Sequence, residues 1–419
     1  MTERGAGVTQ PPRVRAVARV APDSTRSGPA TLRPKHRAGR IGPVHAIQLL
    51  IIEAVALVIL ALVTRGPVVV GGAAAVGVVL ILVSLARLRG RWWLESRLMS
   101  WQFHRRRRVP PHTGRTDARL GGLRSLAPGL AVANVAGPDG RPVGVARDEA
   151  GWYAVAVLRP AAPMRDDPTA GLRVDRLARV VADAGHPGAV LQVVTHTVTA
   201  PTVELNRDSL AEQSYRQLLD TSGQVTLPRD RVTWIAVRLE AHTLAEESVE
   251  GEESDPAVLT AALVRRVVNL LRRTGRDCEL LDAENLVGAL ARSCDLEPSA
   301  RAGAARETRE DWAAWHSGPL AHTTFWVRDW PQVTEIPALL QGMASVPAAV
   351  NSVALILAAD GDGVDLRCLV RLATPPERLA AACESLVRGA EQMHARLFRL
   401  DGEQGPAVYA SAPTGGGPR

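Results

Sequence analysis

Apolar residues are spread unevenly along the chain, and two long apolar runs lie near its N-terminus. The first run covers residues 44–63 and the second covers residues 68–88, with Thr-Arg-Gly-Pro between them. Each run is about as long as a helix that crosses a ~30 Å hydrocarbon layer. The pattern therefore predicts a transmembrane hairpin of two helices within residues 41–90. A signal peptide explains it less well because a second run follows the first at once; a buried hairpin in a soluble protein is the remaining alternative.

The segments on either side of the hairpin are basic and poor in large apolar residues. Residues 1–40 are rich in Pro, Gly, Ser and Arg, which is typical of a disordered basic tail. Residues 91–130 begin with arginines and tryptophans and continue as a Pro- and Gly-rich connector. We interpret them as a juxtamembrane basic and aromatic segment.

Residues 131–413 alternate between patterns of period two and patterns of helical period. They predict an α+β (mixed α/β) cytoplasmic domain, followed by a disordered tail at 414–419. A strand–helix–strand pattern occurs twice, at 143–200 and at 323–397, which suggests a duplicated unit. The other predicted elements are a short helix at 209–220, a strand at 231–241, an acidic loop at 246–255, helices at 256–275 and 282–294 with Asp282 as the cap of the second, and a helix at 375–400.

The net charge of +7 divides sharply along the chain. Residues 1–110 hold 18 basic and 4 acidic residues, a formal charge of +14, whereas the remainder carries a formal charge of −7. The positive charge therefore surrounds the apolar runs, and the partner it indicates is a membrane surface with anionic phospholipid. Nucleic acid is not predicted as a partner, since the acidic domain has no nucleic-acid-binding pattern.

The arginine distribution also predicts orientation. Nine Lys or Arg residues precede the first run, only Arg65 lies between the runs, and eight arginines lie from Arg87, at the end of the second run, to Arg108. Basic residues remain in the cytoplasm, so we expect a two-span inner-membrane protein with both termini cytoplasmic. Tryptophan favours the membrane interface. The residues predicted to contact the interface and anionic lipid are Trp92, Trp93, Trp101, Arg87, Arg89, Arg91, Arg105, Arg106, Arg107 and Arg108.

Two features inside the apolar runs are candidate contacts. Gly71, Gly72, Ala75 and Gly77 give the second helix a small-residue face, which permits close helix packing. The packing partner is either the first helix of the same hairpin or a helix of another subunit. Glu53 lies in the middle of the first run and is either a polar contact to another subunit or a protonated carboxyl that lipid tolerates.

The sequence contains no P-loop, GxGxxG, GxSxG or HExxH motif. His196 and His322 are candidate general bases, but a structural role explains them better because neither has a paired nucleophile. The four cysteines are too widely spaced for a predicted zinc site or disulfide framework. We therefore predict no catalytic residue, no metal site and no cofactor.

Several segments, taken in order, resemble a known family. They are VGVARDEAGWYAVAVL after the connector, YRQLL before TWIAVRL, HTTFWVRDWP, and RLDGEQGPAVYASAP near the end. Together with the basic tail and the hairpin, they are similar to EccE, a membrane component of the actinobacterial type VII (ESX) secretion system. The acidic loop at 246–255 departs from this pattern.

The resemblance implies a non-catalytic structural subunit that packs beside EccB, EccC and EccD. In that family the ATPase EccC is the motor, which fits the missing P-loop here. The alternative is a membrane-tethered cytoplasmic enzyme or small-ligand sensor of unknown chemistry.

Overall fold

The computed structural model describes most of the domain and parts of the N-terminal region. The described residues are 31–34, 40–41, 44–85, 87–88, 91–107, 118–137, 140–159, 174–183, 186, 188–199, 229–248, 255–273, 275–297, 307–360 and 363–416. The predicted helix at 209–220 and most of the predicted acidic loop lie outside this set.

Two helices form the N-terminal hairpin, α1 (Ala46–Leu62) and α2 (Pro67–Leu85), with a 3₁₀ turn between them. Gly66 has a φ of 107°, a conformation that favours glycine, and Pro67 opens α2, where its missing N–H is not needed. Among the described residues no helix is both long enough and apolar enough to cross a membrane. The predicted spans are therefore not confirmed and remain a prediction.

Short strands and a third helix flank this hairpin. Strand β1 (Thr31–Pro34) precedes it, within the segment predicted to be a disordered tail, and it pairs in parallel with Gly363–Leu366 of the domain. The two-residue strands β2 (Arg40–Ile41) and β3 (Val44–His45) pair with each other, as do β4 (Arg87–Leu88) and β5 (Arg91–Trp92). Helix α3 follows directly as Trp93–Arg107.

The domain contains eight further helices and twelve further strands among its described residues. The helices are α4 (Ala118–Leu126), α5 (Val174–Asp183), α6 (Ala241–Ser248), α7 (Pro256–Arg273), α8 (Ala283–Ser293), α9 (Ile336–Ala344), α10 (Pro376–Gln392) and α11 (Gln404–Ser411). The strands are β6 (Ala131–Ala136), β7 (Pro142–Asp148), β8 (Gly151–Leu158), β9 (Ala189–Thr199), β10 (Arg229–Glu240), β11 (Cys278–Leu280), β12 (Thr308–Glu310), β13 (Trp315–Ser317), β14 (Leu320–Asp329), β15 (Val350–Asp360), β16 (Gly363–Thr374) and β17 (Arg396–Arg399).

These twelve strands and β1 form one sheet, in which every pairing except that of β1 is antiparallel. The central order is β12-β13-β14-β16-β15-β9-β10-β8-β7-β6, with β11 beside β8 and β17 beside β14. The order is symmetric about the β9–β15 pair. Each strand from β6 to β11 has an equivalent from β12 to β17 at the same distance on the other side of that pair. The chain is therefore built from two repeats, covering residues 131–280 and 308–399.

Each repeat contains a β-α-β-β-α-β unit, which is β8-α5-β9-β10-α7-β11 in the first and β14-α9-β15-β16-α10-β17 in the second. Within each unit the fourth strand pairs with the first, the first with the third, and the third with the second. That order is the ferredoxin-like arrangement. The two units join through antiparallel pairing of β9 with β15, where Val194 lies opposite Ala354.

The two faces of the sheet are covered in different ways. Face A, which carries Ile235 and Val237, packs against the repeat helices α5, α7, α9 and α10. Face B, which carries Trp234 and Ala236, packs against α4, α8 and α11, which lie outside the two units. In α7 the apolar residues recur at helical spacing, so one side of that helix is buried and the arginine at 266 faces outward.

The predicted α+β class is confirmed for the domain. Asp282 caps α8 as predicted, because its carboxylate accepts the Asn285 N–H at 2.8 Å. The repeat was predicted, but its bounds were too narrow. The sequence did not predict β6, β11, β17, the hairpin of β12 and β13, or the helices α4, α6 and α11.

Candidate functional site: the junction between helix α3 and the domain

Helix α3 packs one side, its inner face, against the domain near β12. Met99 and Phe103, one helical turn apart, are buried there. The Phe103 ring meets the Trp312 ring edge-on, with centroids 5.5 Å apart and planes at 85°. Trp312 in turn lies against Gly402, where an added Cβ would come within 2.8 Å of the indole. Aromatic pairs of this kind contribute about 0.5–1.5 kcal/mol beyond the area they bury.

Arg106 adds a charged contact at the same place. Its NH2 lies 3.2 Å from Glu310 Oε1, its Nε lies 3.4 Å from Glu310 Oε2, and NH2 also donates to the Gly402 carbonyl at 2.5 Å. Glu310 Oε1 accepts the Gly405 N–H at 2.9 Å, in the first turn of α11. A carboxylate is favourable at a helix N-terminus, so Glu310 joins α3 to α11. In the structure Arg106 therefore faces the domain.

The opposite side of α3, its outer face, is exposed. Leu98 is 47% exposed and Trp101 is 61% exposed. Arg105 lies one turn after Trp101, with its Cζ 5.6 Å from the centre of the indole. Residues spaced by three and four lie on one side of a helix, so these three side chains form a single stripe. Arg107 lies between the two faces, with its Cζ 5.6 Å from the centre of the Phe103 ring.

The other predicted interface residues are less informative. The backbone of four of them is described within β4, β5 and the first turn of α3, without their side chains; they are Arg87, Arg91, Trp92 and Trp93. Arg89 and Arg108 lie outside the described residues. Their contact with lipid remains a prediction.

In the hairpin, the small residues of α2 have different surroundings. Gly77 is buried, and a Cβ added there would lie 2.5 Å from Val55 Cγ1 of α1. Gly71 and Gly72 have open space around their backbone, and Ala75 is exposed. Glu53 is exposed on α1. Close packing within the hairpin thus involves Gly77, while Gly71 and Gly72 face away from α1.

The two candidate histidines lie in one buried polar network on face B. Arg371 of β16 is at its centre and is 1% exposed. Its NH1 lies 3.4 Å from His322 Nδ1, and its NH2 lies 3.2 Å from Ser352 Oγ. His196 Nδ1 lies 2.8 Å from the same hydroxyl. Arg371 also donates to the carbonyl of Ser293, the last residue of α8.

Arg371 determines the tautomer of His322. A guanidinium only donates, so His322 Nδ1 and Ser352 Oγ both accept from Arg371, and His196 Nδ1 is hydrogen-bonded to the same hydroxyl. His322 is then neutral with its proton on Nε2, which lies 3.4 Å from Asp295 Oδ2. Burial lowers the pKa of both histidines; the charge of Arg371 lowers them further, whereas Asp295 opposes the shift at His322.

The network joins helices and strands in the core, and it does not expose either histidine to solvent as a base. Both histidines are at most 2% exposed. Arg371 fixes the end of α8 to β16, and Ser352 connects β15 of the second repeat to β9 of the first. The geometry therefore supports a structural role for His196 and His322.

The first repeat has a corresponding contact with the C-terminal strap, residues 412–416. Arg238 of β10 donates from Nε to the Thr414 carbonyl at 2.8 Å. Gln192 Oε1 accepts the Thr414 N–H at 3.0 Å and the Gly415 N–H at 2.6 Å. The sequence suggested a loose end from residue 414, whereas Thr414 and Gly415 are buried.

The partners of Arg238 are also buried. Its guanidinium pairs with the Asp148 carboxylate, which also accepts the Tyr409 hydroxyl at 3.0 Å. The Tyr153 hydroxyl lies 2.9 Å from that of Tyr409, and burial is the main reason that the pKa of both tyrosines is raised. No sequence motif marked these residues, because they come from β7, β8, β10 and α11.

Comparison with known proteins relates the middle of the domain to a secretion system. The family model described as "Putative type VII ESX secretion system translocon, EccE" matches residues 227–327. This range runs from β10 into β14 and includes Glu310 and Trp312, which hold α3. A search of curated proteins gave no match. The predicted resemblance to EccE is confirmed over the matched range, and it relates the chain to components of the type VII translocon.

Proposed function

We propose that the chain is a non-catalytic structural subunit of an inner-membrane type VII (ESX) protein secretion complex. Helices α1 and α2 anchor it as a two-span hairpin, and the domain braces the translocon from the cytoplasmic side. Its partners are EccB-, EccC- and EccD-type subunits and anionic phospholipid. The observation that carries the proposal is that α3 is held by Glu310 and Trp312, within the range matched by the EccE model.

The contacts on either side of the hairpin support an orientation in which both termini of the chain are cytoplasmic. Strand β1 precedes α1 and pairs with β16, while α3 follows α2 and packs near β12. Both ends of the hairpin therefore contact the same domain, which is consistent with two cytoplasmic termini. Large apolar side chains on both helices are exposed, among them Leu57, Leu60 and Val79, and a surrounding bilayer would cover them.

A brace must transmit force, and the junction has contacts suited to that. The Phe103–Trp312 pair and the Arg106–Glu310 pair combine an apolar contact with a charge-assisted one. Because both contacts fix α3 to the domain, α3 cannot rotate independently of it. A displacement of the hairpin would therefore displace the sheet as well. The enzyme or sensor alternative gains no support from His196 and His322, because both are enclosed in the core.

The experiment is affinity purification of the tagged full-length protein from native membranes in mild detergent, with quantitative mass spectrometry. We expect the FtsK/SpoIIIE-type ATPase and the other multi-span subunits to be recovered in a fixed ratio. Phe103→Ala should remain in the membrane but recover less of these subunits, because the domain is no longer held to α3. Val258→Ala, an exposed apolar change on α7, is the matched control.

Two results would contradict the proposal. Wild-type protein recovered intact and without other subunits would overturn the assignment to a secretion complex. If Phe103→Ala and Val258→Ala recovered equal amounts of every subunit, the bracing role of the junction would be wrong even if the assignment held.

A further inference from the structure

Helix α3 has two faces of different chemistry, and only the inner one is occupied by the domain. Met99, Phe103 and Arg106 turn inward and are accounted for by contacts with Trp312, Gly402 and Glu310. Leu98 and Trp101 turn outward, and they are among the most exposed large apolar side chains outside the hairpin. An exposed Trp and Leu on one stripe indicate a surface that is covered by a partner.

The composition of the outer face matches a lipid interface. Tryptophan keeps its ring among lipid headgroups and its N–H hydrated. Arginine extends its charge toward headgroup phosphates while its stem lies on apolar surface. Arg105 lies beside the Trp101 ring, so the apolar and cationic groups point the same way. This combination is typical of helices that lie in the plane of a membrane.

The charge of the chain favours an anionic bilayer in particular. Residues 1–110 carry a formal charge of +14, whereas the rest of the chain carries −7. An anionic membrane repels the acidic domain, so a basic layer is needed between the two. Arg105 is exposed on the side of α3 that faces away from the domain. The helix is thus placed and charged to act as that layer.

The outer face also lies close to the hairpin along the chain. Helix α2 ends at Leu85 and α3 begins at Trp93, and the paired strands β4 and β5 lie in this interval. The exposed Val78, Val79 and Leu80 of α2 precede this reversal. Because only a few residues separate the two helices along the chain, a bilayer that covers α2 also lies close to α3.

We propose that the outer face of α3, formed by Leu98, Trp101 and Arg105, lies flat on an anionic bilayer surface. This proposal rests on the proposed anchoring of α1 and α2, and it adds that lipid is the partner of the outer face of α3. Helix α3 is then an interfacial helix with lipid on one side and the domain on the other. Arg106 is not part of the lipid-binding set, because Glu310 binds it.

The test places a nitroxide label at Leu98→Cys in the full-length protein, reconstituted into vesicles. Three native cysteines are buried and Cys383 is half-buried, so Cys383→Ser provides the background. Val258→Cys is the matched control for an exposed apolar position on the domain. The measurement compares collisions with oxygen, which partitions into lipid, and with a nickel chelate, which remains in water.

In vesicles of phosphatidylglycerol and phosphatidylcholine, we expect the oxygen-to-nickel accessibility ratio at 98 to be severalfold higher than at 258. The ratio should fall when phosphatidylglycerol is omitted, and also in Arg105→Gln. Trp101→Glu should lower it, whereas Trp101→Tyr should preserve it because tyrosine also favours the interface.

Other outcomes would overturn the proposal. Equal ratios at 98 and 258 would show that the outer face is in water. Protection of position 98 from both reagents would show that protein covers it, as in a dimer of this chain. A ratio independent of phosphatidylglycerol would remove the requirement for anionic headgroups. These vesicles contain no other secretion subunit, so each result is independent of the co-purification that tests the proposed function.

Discussion

Lowering the pH should destabilise the domain through its two buried histidines. His196 and His322 are neutral in the folded state, because both rings are buried and lie near the charge of Arg371. Adding a proton would place a second positive charge near this guanidinium in the core. Both pKa values are lowered from the ordinary 6.5, that of His196 well below it.

The sign follows from where the proton binds. The unfolded chain takes up a proton near pH 6.5, while the folded histidine does not, so acid stabilises the unfolded state. The contribution of each histidine is complete above its unfolded pKa and is lost as the pH falls below 6.5 toward the lowered folded value. The loss is about 1.4 kcal/mol per pH unit per histidine. His196 should contribute most of this loss, because its folded pKa is lowered well below the ordinary value. His322 should cost less, because Asp295 opposes its shift.

Urea unfolding of the full-length protein in detergent, followed from pH 8 to about pH 5, measures this slope. His196→Asn keeps an acceptor near the position of Nδ1 and cannot be protonated, so its free energy of unfolding should fall less in acid. His394→Asn is the control, since His394 is exposed and its φ of 58° is one that asparagine tolerates. If His196→Asn and His394→Asn lost stability in parallel below pH 6.5, the assigned protonation of the network would be refuted.

Two further changes test the strap and the junction. Gly415→Ala should destabilise the domain by roughly 2 kcal/mol, because the φ of Gly415 is 67° and the new Cβ would lie 2.5 Å from Arg238 Cβ. Gly416→Ala is the control, because the atom nearest to its new Cβ would be 3.5 Å away. It should have little effect on the free energy of unfolding in the same urea titration. Phe103→Ala removes a buried ring facing Trp312 and should cost about 3 kcal/mol in the docking of α3. Hydrogen exchange should show faster exchange in α3 amides than in the wild type, and an unchanged rate would contradict the packing described here.

Single elements of the fold could be predicted from local sequence, and their arrangement could not. Helix α7 and the Asp282 cap are local features, since an apolar stripe and a cap depend on neighbouring residues. The repeat was visible only as two short strand–helix–strand patterns. Its edge strands β6 and β12 are short and largely exposed or half-buried, so they carry no clear apolar alternation. The pairing of β9 with β15 joins distant segments, and a single sequence carries no signal of such register.

The packing of α3 on the domain was not predicted from the sequence, for a physical reason. Composition assigned Trp101 and the run from Arg105 to Arg107 to a lipid interface, and that contact stays a prediction. The contact of Arg106 with Glu310 spans 204 residues, so sequence alone could not separate it from its neighbours. The strap was misread because its composition, rich in Gly and ending in Pro-Arg, is typical of disorder. Gly415 is instead required by its positive φ and its closeness to Arg238.

The arrangement of α8 and α11 follows from the repeated fold. A ferredoxin-like unit packs both of its helices on one face, so two such units side by side leave face B bare. Helix α8 follows the first repeat and its end binds Arg371 of the second, whereas α11 follows the second and its strap binds Arg238 of the first. Separating the repeats would therefore break the hydrogen bond of Arg371 to the Ser293 carbonyl and that of Arg238 to the Thr414 carbonyl, and losing such bonds from buried charged groups is unfavourable. Because Glu310 connects α11 to α3, the proposed bracing role requires that a pull on the hairpin reach both repeats through α11, one of the helices that cover face B.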